Sequence, residues 1–176
     1  MKYGLLGVVL NLAVHGGTAS AETGQDLFMA AMQGQPQRVQ SILSSGVDAD
    51  SQVGSDRTAL MAAAYSGNYR VMQVLIAYGA NVNLADKHGS TALMDAIIFG
   101  DERLVNLLIS AGADVNAADK LGVRVLVKAK KTAPIQLVKI LEKAGAKEQE
   151  EVKEETEPAP ASEETADKKA EPQKDK

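Results

Sequence analysis

The chain contains no cysteine and no tryptophan. The first absence excludes disulfides and thiol catalysis, and it is compatible with an oxidising compartment. Only two histidines occur, His88 and His15, and His15 directly follows the N-terminal apolar stretch. One histidine with Asp86 as its companion is too small a ligand set for a metal. Ser-His-Asp chemistry would need Ser90 or another serine beside His88 and a buried orienting acid, and no nucleophile elbow is present. Apart from Gly16-Gly17 the glycines stand singly, and they do not form a phosphate-binding loop. No apolar run approaches the roughly 20 residues of a membrane-spanning helix. Beyond the N-terminal segment the aromatics are Phe28, Tyr65, Tyr69, Tyr78 and Phe99, so small residues with Leu, Ile and Val must fill the core. The formal net charge of −4 argues against nucleic acid as a partner. An enzyme, a cofactor and a metal site are therefore not expected.

What the chain has is a period. Gly46, Gly79, Gly112 and Gly145 are each 33 residues apart, and YGANVN, AGADVN and AGAKEQ recur around the last three. Gly34, Gly67 and Gly100 keep the same spacing, with Ala133 in the fourth place. Leu27, Leu60, Leu93 and Leu126 form a further ladder, and so do Val39, Met72, Val105 and Val138. A repeat of this length predicts a solenoid whose product is an extended surface.

Each unit reads as two short helices and an extended turn. In the third unit Thr91 is placed to cap a first helix carrying Leu93, Ala96 and Ile97, which Gly100 ends. Asp101 and Glu102 put negative charge at the positive end of a second helix. Leu104, Val105, Leu107, Leu108 and Ile109 give that helix an apolar stripe, and Gly112 suits a left-handed C-cap. Residues 116–122 form the connection. No single unit can bury its apolar side, so neighbours must stack.

The segments DRTALMAAAYSGNYRVMQVLIAYGANVN (56–83) and DKHGSTALMDAIIFGDERLVNLLISAGADVN (86–116) closely resemble the ankyrin repeat. The resemblance covers about residues 25–149 and implies an all-α repeat solenoid, an ankyrin-type stack of helix-turn-helix units with short β-hairpin connections. It implies four units, 25–53, 54–86, 87–119 and 120–149, within a domain at 22–149. The family's Thr-Pro-Leu-His pattern is altered to Thr58-Ala59-Leu60-Met61 and Thr91-Ala92-Leu93-Met94, which removes the preset helix start of proline and the hydrogen bonds of histidine. A modest loss of stability is expected from this. The end units depart further. The first lacks the threonine turn and carries Pro36 near the start of its second helix. The last has Arg124 for the threonine, Lys130 in the place of Ile97, and Glu142 in the place of Ile109. Buried charges would be costly there, so the array is expected to end with this unit.

The flanks differ from the array. Lys2, the apolar stretch Leu5–Val14 and Ala19-Ser20-Ala21 have the form of a signal peptide at 1–21, with cleavage after Ala21. A short signal with a single lysine resembles bacterial ones, which predicts a periplasmic protein. From Lys147 to Lys176 there are eleven acids and six bases, with Pro158, Pro160 and Pro172, so residues 150–176 read as a disordered acidic tail. Residues 120–146 invert the balance, with seven bases against Glu142 alone. This basic unit reads either as a solvated cap face or as a docking patch, and the acidic tail is expected to lie partly over it.

The resemblance implies a protein-protein interaction module, acting as a monomer, that binds or protects a partner protein. The alternatives are a structural or stress-protective envelope component without a dedicated partner, and an immunity-type inhibitor of a toxin or enzyme. Partners of the family commonly use the connection tips and the exposed positions of the first helices. By matching positions these are Ser55 and Arg57 with Tyr65 and Ser66, then Lys87, His88 and Ser90 with Ile98 and Phe99, then Leu121 with Lys131. Ile98 and Phe99 follow the buried stripe of their helix, so they are expected on an apolar strip rimmed by Arg57, Lys87 and Lys131.

Overall fold

The computed structural model describes residues 22–148. The expected signal peptide and acidic tail lie outside these residues. Eight helices follow one another: α1 (Gly24–Met32), α2 (Pro36–Ser44), α3 (Ala59–Tyr65), α4 (Tyr69–Ala77), α5 (Ala92–Phe99), α6 (Glu102–Ser110), α7 (Val125–Thr132) and α8 (Ile135–Lys143). They form two layers. In one, α1, α3, α5 and α7 pack in sequence; in the other, α2, α4, α6 and α8 do the same, and each pair α1/α2, α3/α4, α5/α6 and α7/α8 packs across the layers.

Local sequence sets the helix ends. Thr23 accepts from the Asp26 backbone N–H while the Asp26 carboxylate accepts from the Thr23 N–H, a reciprocal cap on α1. Pro36 opens α2 at a position whose N–H would have no helical partner. Thr58 caps α3 through the Met61 N–H, and Asp101 caps α6 through the Arg103 N–H. Thr91 does not cap α5, contrary to expectation. Its hydroxyl is buried without a hydrogen-bond partner.

Alanine sets the tightness of the first layer. Ala30, Ala63, Ala96 and Ala129 recur at one position, all buried, so the first helices approach closely. The expected leucine ladder, Leu27, Leu60, Leu93 and Leu126, is buried throughout, as are Val39, Met72, Val105 and Val138. Burial of one such leucine is worth about 2 kcal/mol, and the ladders join into a single core along the stack.

The connections correct the expected fold class. The resemblance implied β-hairpins, but the described residues contain no β-strand. Each connection holds one isolated antiparallel bridge: Val53 with Arg57, Ala85 with Thr91, Ala118 with Arg124. In the second and third connections an aspartate closes the tip. Asp86 Oδ1 accepts from the N–H of His88 (2.8 Å) and of Ser90 (2.9 Å). Asp119 Oδ1 accepts from Leu121 and Val123, both at 3.0 Å. The tips thus close as turns, and the bridged Thr91 and Arg124 lead directly into α5 and α7, which leaves no room for a longer ladder.

A second recurrent residue joins the units. Asn83 Oδ1 accepts from the Asp114 N–H (2.8 Å) while its Nδ2 donates to the Gly112 carbonyl (3.0 Å). Asn116 does the same one period later, to the Lys147 N–H (2.8 Å) and the Gly145 carbonyl (3.3 Å). Asp50 stands in the same place earlier and can only accept, from the Asn81 N–H at 2.8 Å. The final asparagine of each YGANVN or AGADVN motif is thus a clamp between consecutive units.

Candidate protein-binding surface

The connection tips and the ends of the first helices bring the expected residues into two rows. The tip row holds Ser55 and Arg57, then Lys87, His88 and Ser90, then Leu121. It is tied together by the backbone: the Lys87 N–H donates to the Ser55 carbonyl (3.0 Å) and the Lys120 N–H to the His88 carbonyl (2.9 Å). Ser55, Lys87, His88 and Leu121 are exposed, Leu121 most of all. The Lys87 ammonium lies 4.0 Å from Asp56 and 3.4 Å from the Gly54 carbonyl. Ser90 is half-buried, with its hydroxyl against the Met94 sulfur.

The second row runs along the C-terminal ends of the first helices. Tyr65 is 58% exposed, Ile98 50% and Phe99 49%, with Ser66 half-buried beside Tyr65 and Lys131 exposed at the far end. Phe99 is anchored on one side. Its ring lies against Gly67, which takes φ +75° and leaves no room for a Cβ under that ring. The other half of the ring faces out.

Sequence reasoning missed Met32 in this row, Phe28 next to it and the charges behind it. A hollow of about 290 Å³ is lined by Phe28, Met32, Ala62 and Tyr65, with Arg57 and Asp95 at its side. Met32 stands one period before Tyr65, and Tyr65 one period before Ile98. Extending the ladder backwards by one unit would have found it. The apolar row therefore reads Met32, Tyr65, Ile98 before it meets Lys131.

Arg57 does not stand free at the rim. Its guanidinium donates to Asp86 (3.2 Å) and to Asp95 (2.7 Å). Asp95 projects from an otherwise apolar helix and is buried, and burial pushes its pKa up to about 6 although Arg57 pulls the other way. Burial also pushes on Asp86, but the N–H groups of Ser90 and His88, together with Arg57, hold it below the ordinary value. Lys128 approaches Asp119 at 3.5 Å. Asp119 is likewise lowered: burial opposes this, and the N–H groups of Val123 and Leu121 and the Lys128 charge outweigh it. The signal for Asp95 was in the sequence, as the one acid within ALMDAIIF. Its partner, 38 residues away, was not.

Among the described residues no group of three or more His, Cys, Asp or Glu side chains could hold a metal, and no helix is long and apolar enough to cross a membrane. The arrangement offers contact area and fixed charge, with half-exposed aromatic and aliphatic side chains on a rigid support. Rigid aromatic side chains of this kind serve as anchors in protein interfaces.

No curated protein matches the chain. The sequence profile for ankyrin repeats, in three copies, matches residues 27–119. Helices α7 and α8 add a further pair beyond that match, packed on α5 and α6 respectively. With more than half of its length matched in this way, the chain belongs to the ankyrin repeat family, whose units generally serve as protein-protein interaction modules.

Proposed function

We propose that this ankyrin array is an exported, periplasmic binding module, monomeric, that holds or protects a partner protein on the surface formed by the tip row and the first-helix ends. The observation that carries the reading is the apolar row of Met32, Tyr65 and Ile98 with Phe99 beside it. Met32 is 39% exposed and the other three about half, and the row ends on Lys131. Side chains of this size on consecutive units gain by removal from water. Ser55, Lys87, His88 and Leu121 extend the contact along the tips, and Arg57, Ser66 and Ser90 form its floor. Export rests on Lys2, Leu5–Val14 and Ala19-Ser20-Ala21. A cut after Ala21 retains Glu22, which pairs with Arg38, and the Thr23 cap.

The test is capture of a partner from envelope extract by the full-length protein and by Tyr65→Ala/Phe99→Ser. The double variant should lose capture at least tenfold while unfolding cooperatively, by analogy with other interface anchors. Full capture by the double variant would remove this surface from consideration. Because Phe99 covers Gly67, Tyr65→Ala alone serves as the variant with no such packing role. Intact mass from native cells tests the export step, and an uncut N-terminus in a cytoplasmic fraction would refute it.

A further inference from the structure

The described chain ends where its charge is about to change sign. Around that end residues 120–146 are strongly basic: Lys120, Arg124, Lys128, Lys130, Lys131, Lys139 and Lys143 stand against Glu142 alone. Lys131, Lys139 and Lys143 are exposed and have no carboxylate within pairing distance among the described residues. The chain is led to this face by fixed contacts. The Lys147 N–H donates to Asn116 Oδ1 (2.8 Å), so the backbone is held one residue before Glu148. The Glu148 carboxylate then pairs with Lys130, and its carbonyl accepts from Arg124 Nη1 at 3.3 Å. Lys130 also meets Glu142 at 3.7 Å, and these carboxylates raise its pKa, the hydrogen bond to Glu148 foremost.

The sequence that follows is graded. From Glu148 to Glu157 there are six acids, Glu148, Glu150, Glu151, Glu154, Glu155 and Glu157, against Lys153. From Pro158 to Lys176 the balance is five acids to four bases. The negative charge is concentrated next to the basic unit and fades beyond it.

We propose that the segment Glu148–Glu157 docks on the basic outer face of α7 and α8 of its own molecule, continuing the contact that Glu148 makes with Lys130 and Arg124. Reach is ample: ten residues span up to about 33 Å extended, whereas a nine-residue helix such as α8 is about 13 Å long. Each exposed pair is weak. A tether of a few residues supplies a local concentration on the order of millimolar, which makes several weak pairs sufficient. Lys130, where this contact begins, is followed directly by Lys131 at the end of the apolar row. The docked segment therefore competes with any acidic stretch that a partner brings to this end of the array. This inference does not rest on the proposed export or on the identity of a partner.

Amide chemical shifts of the full-length protein, compared with a variant carrying Glu→Gln at 150, 151, 154, 155 and 157, test it directly. None of the five substitutions lies within the helical array, and the resonances of α1–α4 report that the fold is unchanged. At low ionic strength the variant should shift the amides of Arg124, Lys130, Lys131, Lys139 and Lys143. In 1 M salt, where the screening length is about 3 Å, the two spectra should coincide there. Identical shifts at low salt would overturn the proposal. Shifts that grow with protein concentration would overturn it as well, by placing the segment on a second copy.

Discussion

Ile97 in α5 and Lys130 in α7 occupy the same position one period apart, and so do Ile109 in α6 and Glu142 in α8. Ile97 is fully buried because α7 packs over α5. No further helix covers α7 among the described residues, and there Lys130 is exposed and pairs with Glu142 across the same two helices. The chemistry of a ladder position is thus decided by the unit that follows it. A middle unit must present an apolar side on both flanks. A last unit can carry charge on its outer flank, which keeps the stack from adding or recruiting another unit.

The comparison breaks most visibly if the two residues are exchanged. Ile97→Lys places an ammonium among Leu93, Ala96 and the facing helix, where burial of an unpaired charge is expected to cost upwards of about 4 kcal/mol. Lys130→Ile should leave the urea midpoint of the full-length protein nearly unchanged, since the pairs it loses are exposed. Equal midpoints for the two variants would refute the assignment of inner and outer flanks.

A second contrast lies along the position held by Met29, Ala62, Asp95 and Lys128. Only in the third unit is this an acid, and only there is it buried beneath an arginine from the preceding tip. The pKa of Asp95 is raised from 3.8 to about 6. The folded state therefore holds its proton more tightly than the unfolded chain does. The corresponding stability is present below about pH 4 and is lost as pH rises through about 6. Asp86 and Asp119, both lowered, act in the opposite sense and lose their contribution as pH falls below about 4. Asp95→Asn mimics the protonated form and leaves Arg57 paired with Asp86. Its stability relative to the parent should be higher at pH 7 than at pH 4, by as much as about 3 kcal/mol. Urea midpoints at both pH values measure this, and a difference independent of pH would show that the Arg57 pair, not burial, controls Asp95.

The same contrast explains what the sequence made legible. The period, the buried ladders and the charged end of the array depend on residue type at fixed spacing, and those can be read without coordinates. The connections could not be read in that way. Whether Asp86 and Asp119 close a turn or flank a hairpin depends on which N–H groups their carboxylates reach. The clamp role of Asn83 and Asn116 depends on partners 29 and 31 residues away. For the surface, Ile98 and Phe99 were found from their place after the buried stripe, and Tyr65 from its matching position in the family resemblance. Met32 and Phe28 were overlooked because the first unit lacks the threonine turn that marks the register. Arg57 was expected at the rim of the apolar strip, and nothing local reveals Asp95 as its partner.

The smallest expected effect separates two residues that look identical in sequence. Thr58 and Thr91 stand one period apart, both in extended backbone conformation before a helix, and both are buried. Thr58 accepts from the Met61 N–H at 3.3 Å, whereas the Thr91 hydroxyl has no partner. Valine has nearly the same shape without the hydroxyl. Thr58→Val removes a cap and should cost about 1 kcal/mol. Thr91→Val removes a polar atom whose burial is uncompensated, so it should be neutral or stabilise by up to about 1 kcal/mol. The two differ in sign, which makes the comparison sharper than either value. Thermal and urea unfolding of the paired variants decide it. A loss at Thr91 as large as that at Thr58 would mean that the α5 start is capped after all, and the two middle units would then be equivalent at their helix starts.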